Sequence, residues 1–134
     1  MKKYLLDTNI CIYFLKGQFG LHRKIEKIGK ENCYLSEITI AELKYGVEKS
    51  EYKEKNRINQ EKFQAKFKIL PIFPALDIFA KEKARLKTRG KIIDDFDLLI
   101  GSTALYNDLT LITRNISDFD RLSKIIIEDW TAIK

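Results

Sequence analysis

Short apolar runs alternate along this chain with longer charged stretches that carry apolar residues at helical spacing. "KKYLLD" is rich in Leu and Tyr, ends on an acid, and predicts a first strand. "TNICIYFLKG" follows, with Ile10, Tyr13 and Phe14 at helical spacing and Gly17 as a stop. "LHRKIEKIG" keeps Leu21, Ile25 and Ile28 on one helical face, and "NCYLSEI" predicts a second strand. "TIAELKYGVEKS" begins a helix with Thr39 and Glu42 three apart, the spacing of a capping box. The charged stretch "EYKEKNRINQEKFQAKFKIL" has a thin stripe of Ile58, Phe63 and Phe67 and predicts an exposed amphipathic helix. "LPIFP" predicts a short strand bracketed by prolines, and "ALDIFAKEKARLKTRG" a helix ending at Gly90. "FDLLIGSTALYND" is apolar nearly all round, as a buried helix is. "LTLIT" and "IIIE" predict the last strands.

Strands that alternate with helices argue for an α/β fold: a mostly parallel sheet of four or five strands with helices on both faces. Repeats, low-complexity segments and linkers are absent from the sequence, and residues 1–134 read as a single domain. A chain of this length buries about two-thirds of its unfolded surface and needs no disulfide or structural metal to fold. Apolar residues make up 45% and charged residues 33%, too apolar for disorder.

The composition removes several kinds of chemistry. There is one histidine, His22, and the only cysteines, Cys11 and Cys33, sit inside apolar runs with no C-x-x-C pair. A zinc site is excluded, and the cysteines read as buried hydrophobes of a reducing compartment. The longest apolar runs fall well short of the ~18 residues a membrane helix needs. Asp7 interrupts any signal-peptide core behind the basic start, so the reading is a cytoplasmic protein. The net charge of +6 is uneven. "KEKARLKTRGK" carries Lys81, Lys83, Arg85, Lys87, Arg89 and Lys91 against Glu82 alone. Such a stripe gathers a phosphate backbone, or is simply a solvated helix face.

Ligands of parallel α/β sheets bind at the carboxyl ends of the strands, so acids at strand-to-helix junctions are the residues to weigh. Four junctions carry them. Asp7 ends the first strand, and Glu42 is expected in the first turn of the next helix. Asp97 opens the buried helix, and Asp118 follows the "LTLIT" strand. Each alone has a structural account, as a helix cap, a dipole partner or half of a capping box. Together, four carboxylates on one sheet edge repel one another and resist full ionisation. Divalent cations relieve such a cluster. Magnesium and manganese prefer oxygen ligands and share them with water and substrate phosphates. No Ser–His pairing or thiol motif competes, so acid-plus-metal hydrolysis of a phosphodiester is the chemistry this chain is equipped for. Asp97, Gly101 and Ala104 fall on one helical face, where small residues permit close packing beneath a site or against the sheet.

"LLDTNICIYFLKG", "ITIAELKYGVEKS", "FDLLIGSTAL" and "LTLITRNISDFDRL", four motifs in order from Lys3 to Trp130, resemble a PIN-domain ribonuclease toxin of the VapC type. "EDW" near the end is similar to the tail of enteric VapC toxins. The resemblance implies a PIN-like fold and an acidic quartet at Asp7, Glu42, Asp97 and Asp118. It implies Mg²⁺ or Mn²⁺ held mainly by Asp7 and Asp97, with Asn9, Thr113 and Asn115 supporting the acids. Arg114, in "TRN", lies beside them in position to steer phosphate. The resemblance further implies a homodimer, a structured RNA substrate such as a tRNA anticodon loop, with initiator tRNA a candidate, and a cognate VapB-like antitoxin. Two departures stand out. "IIDDFD" offers Asp94 and Asp95 beside Asp97; Asp97 precedes "LLIG" and matches the family's Asp-x-x-Ile-small pattern. Gly101-Ser102 replaces a more usual Ala pair. Asp118 takes the fourth place because it precedes Phe119, with Asp120 as the alternative. Two other readings of the same residues are a housekeeping PIN or 5′-nuclease-like enzyme, and a binding module whose acids only cap helices.

Overall fold

The short apolar runs pair into one sheet, described here with its helices by a computed structural model covering residues 2–132. The strands are β1 (Tyr4–Leu6), β2 (Cys33–Ser36), β3 (Lys68–Leu70), β4 (Thr110–Ile112) and β5 (Ile127–Glu128). Their order is β3-β2-β1-β4-β5, and every neighbouring pair is parallel. The helices are α1 (Thr8–Leu15), α2 (Leu21–Ile28), α3 (Glu37–Glu48), α4 (Lys53–Gln64), α5 (Leu76–Thr88), α6 (Asp95–Tyr106) and α7 (Ile116–Phe119). Among the described residues, no helix is long and apolar enough to cross a membrane.

Side chains alternate across a strand, and each central strand therefore feeds two cores. Leu5 and Leu111 join Leu86 of α5, Leu98, Ile100 and Ala104 of α6, and Phe119 of α7 on one face. Leu6 and Ile112 join Ile10 and Cys11 of α1, Leu21 and Ile25 of α2, and Phe63 of α4 on the other. Helix α3 serves both faces, through Ile38 on the first and Ile40 and Leu43 on the second. Burying each such side chain stabilises the fold by about 2 kcal/mol. Cys11 and Cys33 are free and buried in the second core, and burial pushes both thiols up, Cys33 to about 11. Trp130 packs the C-terminal tail edge-on against Tyr4, with ring centroids 5.1 Å apart.

Three elements differ from the pattern-based expectation. The third strand is Lys68–Leu70, ahead of "LPIFP"; Pro71 has no N–H for the ladder, and Phe73–Ala75 forms a 3-10 turn around Pro74. The stripe in α4 is not one face. Phe63, and Phe67 beyond the end of α4, meet in the core with tilted rings 5.0 Å apart, while Ile58 is exposed, because the five residues from Ile58 to Phe63 turn a helix by about 140° from the starting face. Helix α7 has four residues, too few to show any periodicity.

The basic stripe on α5 also differs from a purely solvated face. Glu82 is buried, and both of its oxygens accept from Arg85, at 2.8 and 2.9 Å. Glu82 also accepts from the Ser123 N–H at 2.7 Å, and Arg85 donates to the Arg121 carbonyl at 2.7 Å. These bonds tie α5 to the segment that follows α7. The Arg85 guanidinium holds the Glu82 carboxyl below its usual range. A lowered carboxyl pKa contributes stability above the unfolded value and loses it as pH falls through the folded one. Replacing Glu82 by Ala leaves the Arg85 charge and the Ser123 N–H without their partner. Urea denaturation at pH 7 is expected to show a loss of about 2 kcal/mol, shrinking in acid as the parent's own lowered carboxyl protonates.

Candidate active site

Asp7 stands where β1 becomes α1, on the central strand, beside the point where the strand order reverses between β1 and β4. Its N–H continues the ladder to the Ile112 carbonyl at 2.9 Å. Its carboxylate is only 3% exposed and makes two hydrogen bonds. Oδ1 accepts from the Thr8 N–H at 2.8 Å, capping α1, and Oδ2 accepts from Thr113 Oγ1 at 2.8 Å, across to the end of β4. Burial pushes the Asp7 carboxyl up, the two hydrogen bonds pull it back, and the charge of Glu42 raises it further.

Glu42 reaches the same place from α3. That helix starts at Glu37 because Ser36 caps it, accepting from the Ile38 N–H at 3.0 Å. Glu42 therefore lies in the second turn, not the first, and Thr39 is not a cap. Thr39 Oγ1 instead meets Thr8 Oγ1 at 2.9 Å, and Thr8 Oγ1 donates to Glu42 Oε1 at 2.7 Å. Thr8 thus serves two acids, Asp7 through its N–H and Glu42 through its hydroxyl.

Asp97 is the third residue of α6, with Asp94 in the cap position ahead of it. Asp94 accepts from the Phe96 N–H at 3.1 Å, and Asp95 pairs outward with Lys83 at 3.0 Å. Asp97 feels the pocket. Its carboxyl is pushed up to about 7, first by burial and then by Asp7, Asp94, Glu42 and Asp118.

Asp118 comes in on α7. Asn115 Nδ2 donates to it at 2.9 Å, and the Arg121 guanidinium stands 3.8 Å away. The Asn115 N–H also donates to Thr113 Oγ1 at 3.0 Å, so one short chain of bonds runs from Asp7 to Asp118. Asp120 is exposed at the end of α7 and does not figure among the charges acting on Asp97. Gly101 packs closely under this segment: a Cβ there would press on the Leu122 Cδ1 methyl and meet Phe119 at ordinary contact distance. The neighbouring Ser102 is buried and returns its hydroxyl to the Leu98 carbonyl at 2.7 Å, so this pair packs tightly.

The structure therefore brings Asp7, Glu42, Asp97 and Asp118 to one sheet edge with Thr113 and Asn115. Asn9 is exposed on α1, and the hydrogen bonds to the acids run through Thr8. Thr8 and Thr39 were not read as site residues from sequence, since threonine at a helix start has an ordinary capping account. Arg114 is exposed at the rim, over Phe19 and Tyr13.

The donors are all oxygen, and their mutual repulsion is the condition a divalent cation relieves. Among the described residues, no three acid, imidazole or thiol groups are close enough to enclose an ion alone. Magnesium and manganese take one or two carboxylates and complete their shell with water and phosphate. The raised Asp97 pKa also sets a stability trend. The folded carboxyl holds its proton above the usual 3.8, so the metal-free fold loses stability as pH rises from there towards 7. Asp97→Asn removes that loss. In chelator at pH 8 its melting temperature is expected to exceed the parent's by about 3 °C, allowing for solvent screening. The gap closes towards pH 4, which thermal melts across a pH series will show.

A family model described as PIN domain matches residues 4–125. Ribonuclease VapC2 of Rickettsia felis is 37% identical over 130 residues, 95% of this chain and 97% of that protein. The tRNA(fMet)-specific endonuclease VapC of Shigella flexneri is 31% identical over 132 residues, 98% of this chain and 100% of that protein. The DNA-bound VapBC structure from Salmonella typhimurium matches with a TM-score of 0.90 at 32% identity, covering 97% of this chain and 99% of that one. With a parallel sheet, an acid-lined edge and matches that span its length, this chain belongs to the PIN-domain family, among the VapC ribonucleases.

Proposed function

We propose that this chain is the toxin of a toxin–antitoxin pair, a Mg²⁺- or Mn²⁺-dependent endoribonuclease that inhibits translation by cutting structured RNA. The observation that carries the reading is the convergence of acids from separate elements: Thr8 bonds both Asp7 and Glu42, a chain through Thr113 and Asn115 joins Asp7 to Asp118, and the charges of Asp7, Asp94, Glu42 and Asp118 add to burial in pushing the Asp97 carboxyl up. Helix capping alone asks for no such convergence. Asp7 and Asp97 would hold the ion. Bound there, the ion offsets the acids' repulsion and lowers the pKa of a water for attack on phosphorus. The chain's own part is orientation. Thr8 and Thr113 fix the Asp7 carboxylate, the Thr8 hydroxyl fixes Glu42, and Asn115 fixes Asp118. Glu42 and Asp118 then stand as acceptors for the proton of an attacking water. Arg114 and Arg121, at the rim, contribute positive charge where the RNA phosphates approach.

The relatives point to the substrate class. Two of them are named for tRNA(fMet), which makes the initiator tRNA anticodon loop the first RNA to test. Structures of VapBC complexes make a VapB-like antitoxin the expected partner; a cytoplasmic homodimer is part of the same proposal.

Asp7→Asn removes a charge that no neighbour replaces. Cleavage of RNA by the purified protein is expected to fall roughly a hundredfold or more, and growth arrest on induction to disappear. A variant that cuts at the parent rate sinks the assignment. Chelation is expected to stop cleavage by the parent and added Mn²⁺ to restore it. Thr113→Val keeps the shape but frees the Asp7 carboxylate, and a loss of about tenfold is expected. Mapping new RNA 5′ ends after induction tests the substrate: one sharp cut in a tRNA loop supports the toxin reading, and a spread of processing sites supports a housekeeping nuclease.

A further inference from the structure

One cluster at the rim of the acidic pocket is not explained by the cores or by the acids. After α1 the chain turns back through Gly17, Phe19 and Gly20, all at positive φ, 69°, 60° and 63°. Glycine adopts that backbone freely, whereas phenylalanine is strained in it. Phe19 is nevertheless 42% exposed, so the strain is not offset by full burial. Its ring stands edge-on to Tyr13, with centroids 5.0 Å apart and planes at 74°. The Arg114 guanidinium lies over both rings, 5.1 Å from the Phe19 centroid and 5.9 Å from that of Tyr13. Arg114 is flanked by Thr113, which bonds Asp7, and Asn115, which bonds Asp118. Among the described residues it forms no ion pair with a carboxylate.

The same cluster opens onto a basic surface. Phe19 lines one end of a groove of about 640 Å³ shared with Arg23, Lys24 and Lys27 of α2 and with Trp130. Of the acids of that groove, Glu128 pairs with Lys2, while Asp129 accepts from the Thr131 N–H and hydroxyl and keeps its charge, so the three α2 cations outnumber the one acid left without a cation partner. The α2 cations are left facing the groove, with Lys24 5.8 Å over the Trp130 ring.

Building on the ribonuclease reading, we propose that Phe19 and Arg114, braced by Tyr13, form the nucleotide-binding rim of the site. An unpaired base beside the scissile phosphate stacks on this pair, and the RNA strand runs on into the basic groove of α2. The chemistry suits single-stranded RNA. Aromatic rings and guanidinium planes take the flat face of an exposed base, which a duplex does not offer. A guanidinium stacked on a ring keeps donors free for a neighbouring phosphate. The rim would therefore select loops over helices, and strain at Phe19 is the kind that persists at binding sites.

The strain also gives a test that separates binding from folding. Glycine at position 19 relieves the backbone and removes the ring. In an Asp7→Asn background, which binds without cutting, affinity is measured for the initiator tRNA anticodon stem-loop carrying 2-aminopurine in the loop, and for a duplex lacking a loop. Phe19→Gly is expected to bind the loop about tenfold more weakly, with an equal or higher melting temperature and little change on the duplex. Phe19→Trp is expected to keep the affinity, and Arg114→Lys, which keeps charge but not the plane, to lose part of it. With Asp7 intact, Phe19→Gly is expected to raise KM more than it lowers kcat. Equal loop affinity for Phe19→Gly and its parent overturns the inference, as does a fall in affinity that comes with a fall in melting temperature. If the parent cuts no RNA, the ribonuclease reading itself fails; if it cuts and the rim variants cut with the same KM, only the rim does.

Discussion

Like-charge repulsion inside a half-buried pocket is the constraint around which this end of the molecule is built. Asp7 is almost fully enclosed, Asp97 is raised to about 7, and Glu42 and Asp118 add to the same field. Left to themselves, four carboxylates would turn outward to water or take up protons. They are held because each comes from a different element, and each element is fixed in one or both of the two cores. β1 carries Asp7 on the central strand; α3 is anchored on both faces of the sheet; α6 and α7 pack into the first core through Leu98, Ile100 and Phe119. The burial that stabilises the fold is what keeps the acids together against their repulsion.

Neutral groups do the orienting. Hydroxyls of Thr8 and Thr113, the Thr8 N–H and the Asn115 amide contact the acids directly. A lysine or arginine in those places would pair with the carboxylates, lower their pKa and take the place of a divalent cation. Hydroxyls and amides set direction without cancelling charge. The Arg121 guanidinium stands 3.8 Å from Asp118 and also donates to the Ile92 carbonyl at 2.9 Å.

The alternating pattern made the parallel sheet and the four junctions legible, because short runs such as "YLL" and "TLI" have one reading once helices flank them. Asp97 was separable from Asp94 and Asp95 only by its match to the family pattern; the structure adds a physical distinction, with one aspartate capping α6, one paired with Lys83 and one facing the pocket. What the pattern did not carry was non-local. The Thr113–Asp7 bond joins residues 106 apart, and Thr8 meets Thr39 across 31. Local rules favoured Thr39 as a cap, but Ser36 lies at the strand end and starts the helix earlier. That shift of three residues carries Glu42 into the second turn, where the Thr8 hydroxyl reaches it. The third strand was placed too late because apolar content around prolines resembles an edge strand, although the missing N–H of Pro71 ends the ladder there.

The charge of the molecule and the charge of its pocket have opposite signs, and the fold keeps them apart. Much of the basic excess lies on α2 and α5, while the acids sit at the end of β1 and on α3, α6 and α7. On α5 the separation is active. Buried Glu82 engages Arg85, so that this cation braces the segment after α7, while Lys87, Arg89 and Lys91 remain exposed. A polyanion is thus attracted by the surface as a whole and repelled by the pocket unless the pocket's charge is offset. On the proposed reading, RNA association depends on the rim and reaction on a bound cation. Those two dependences can be separated by experiment because they rest on different residues.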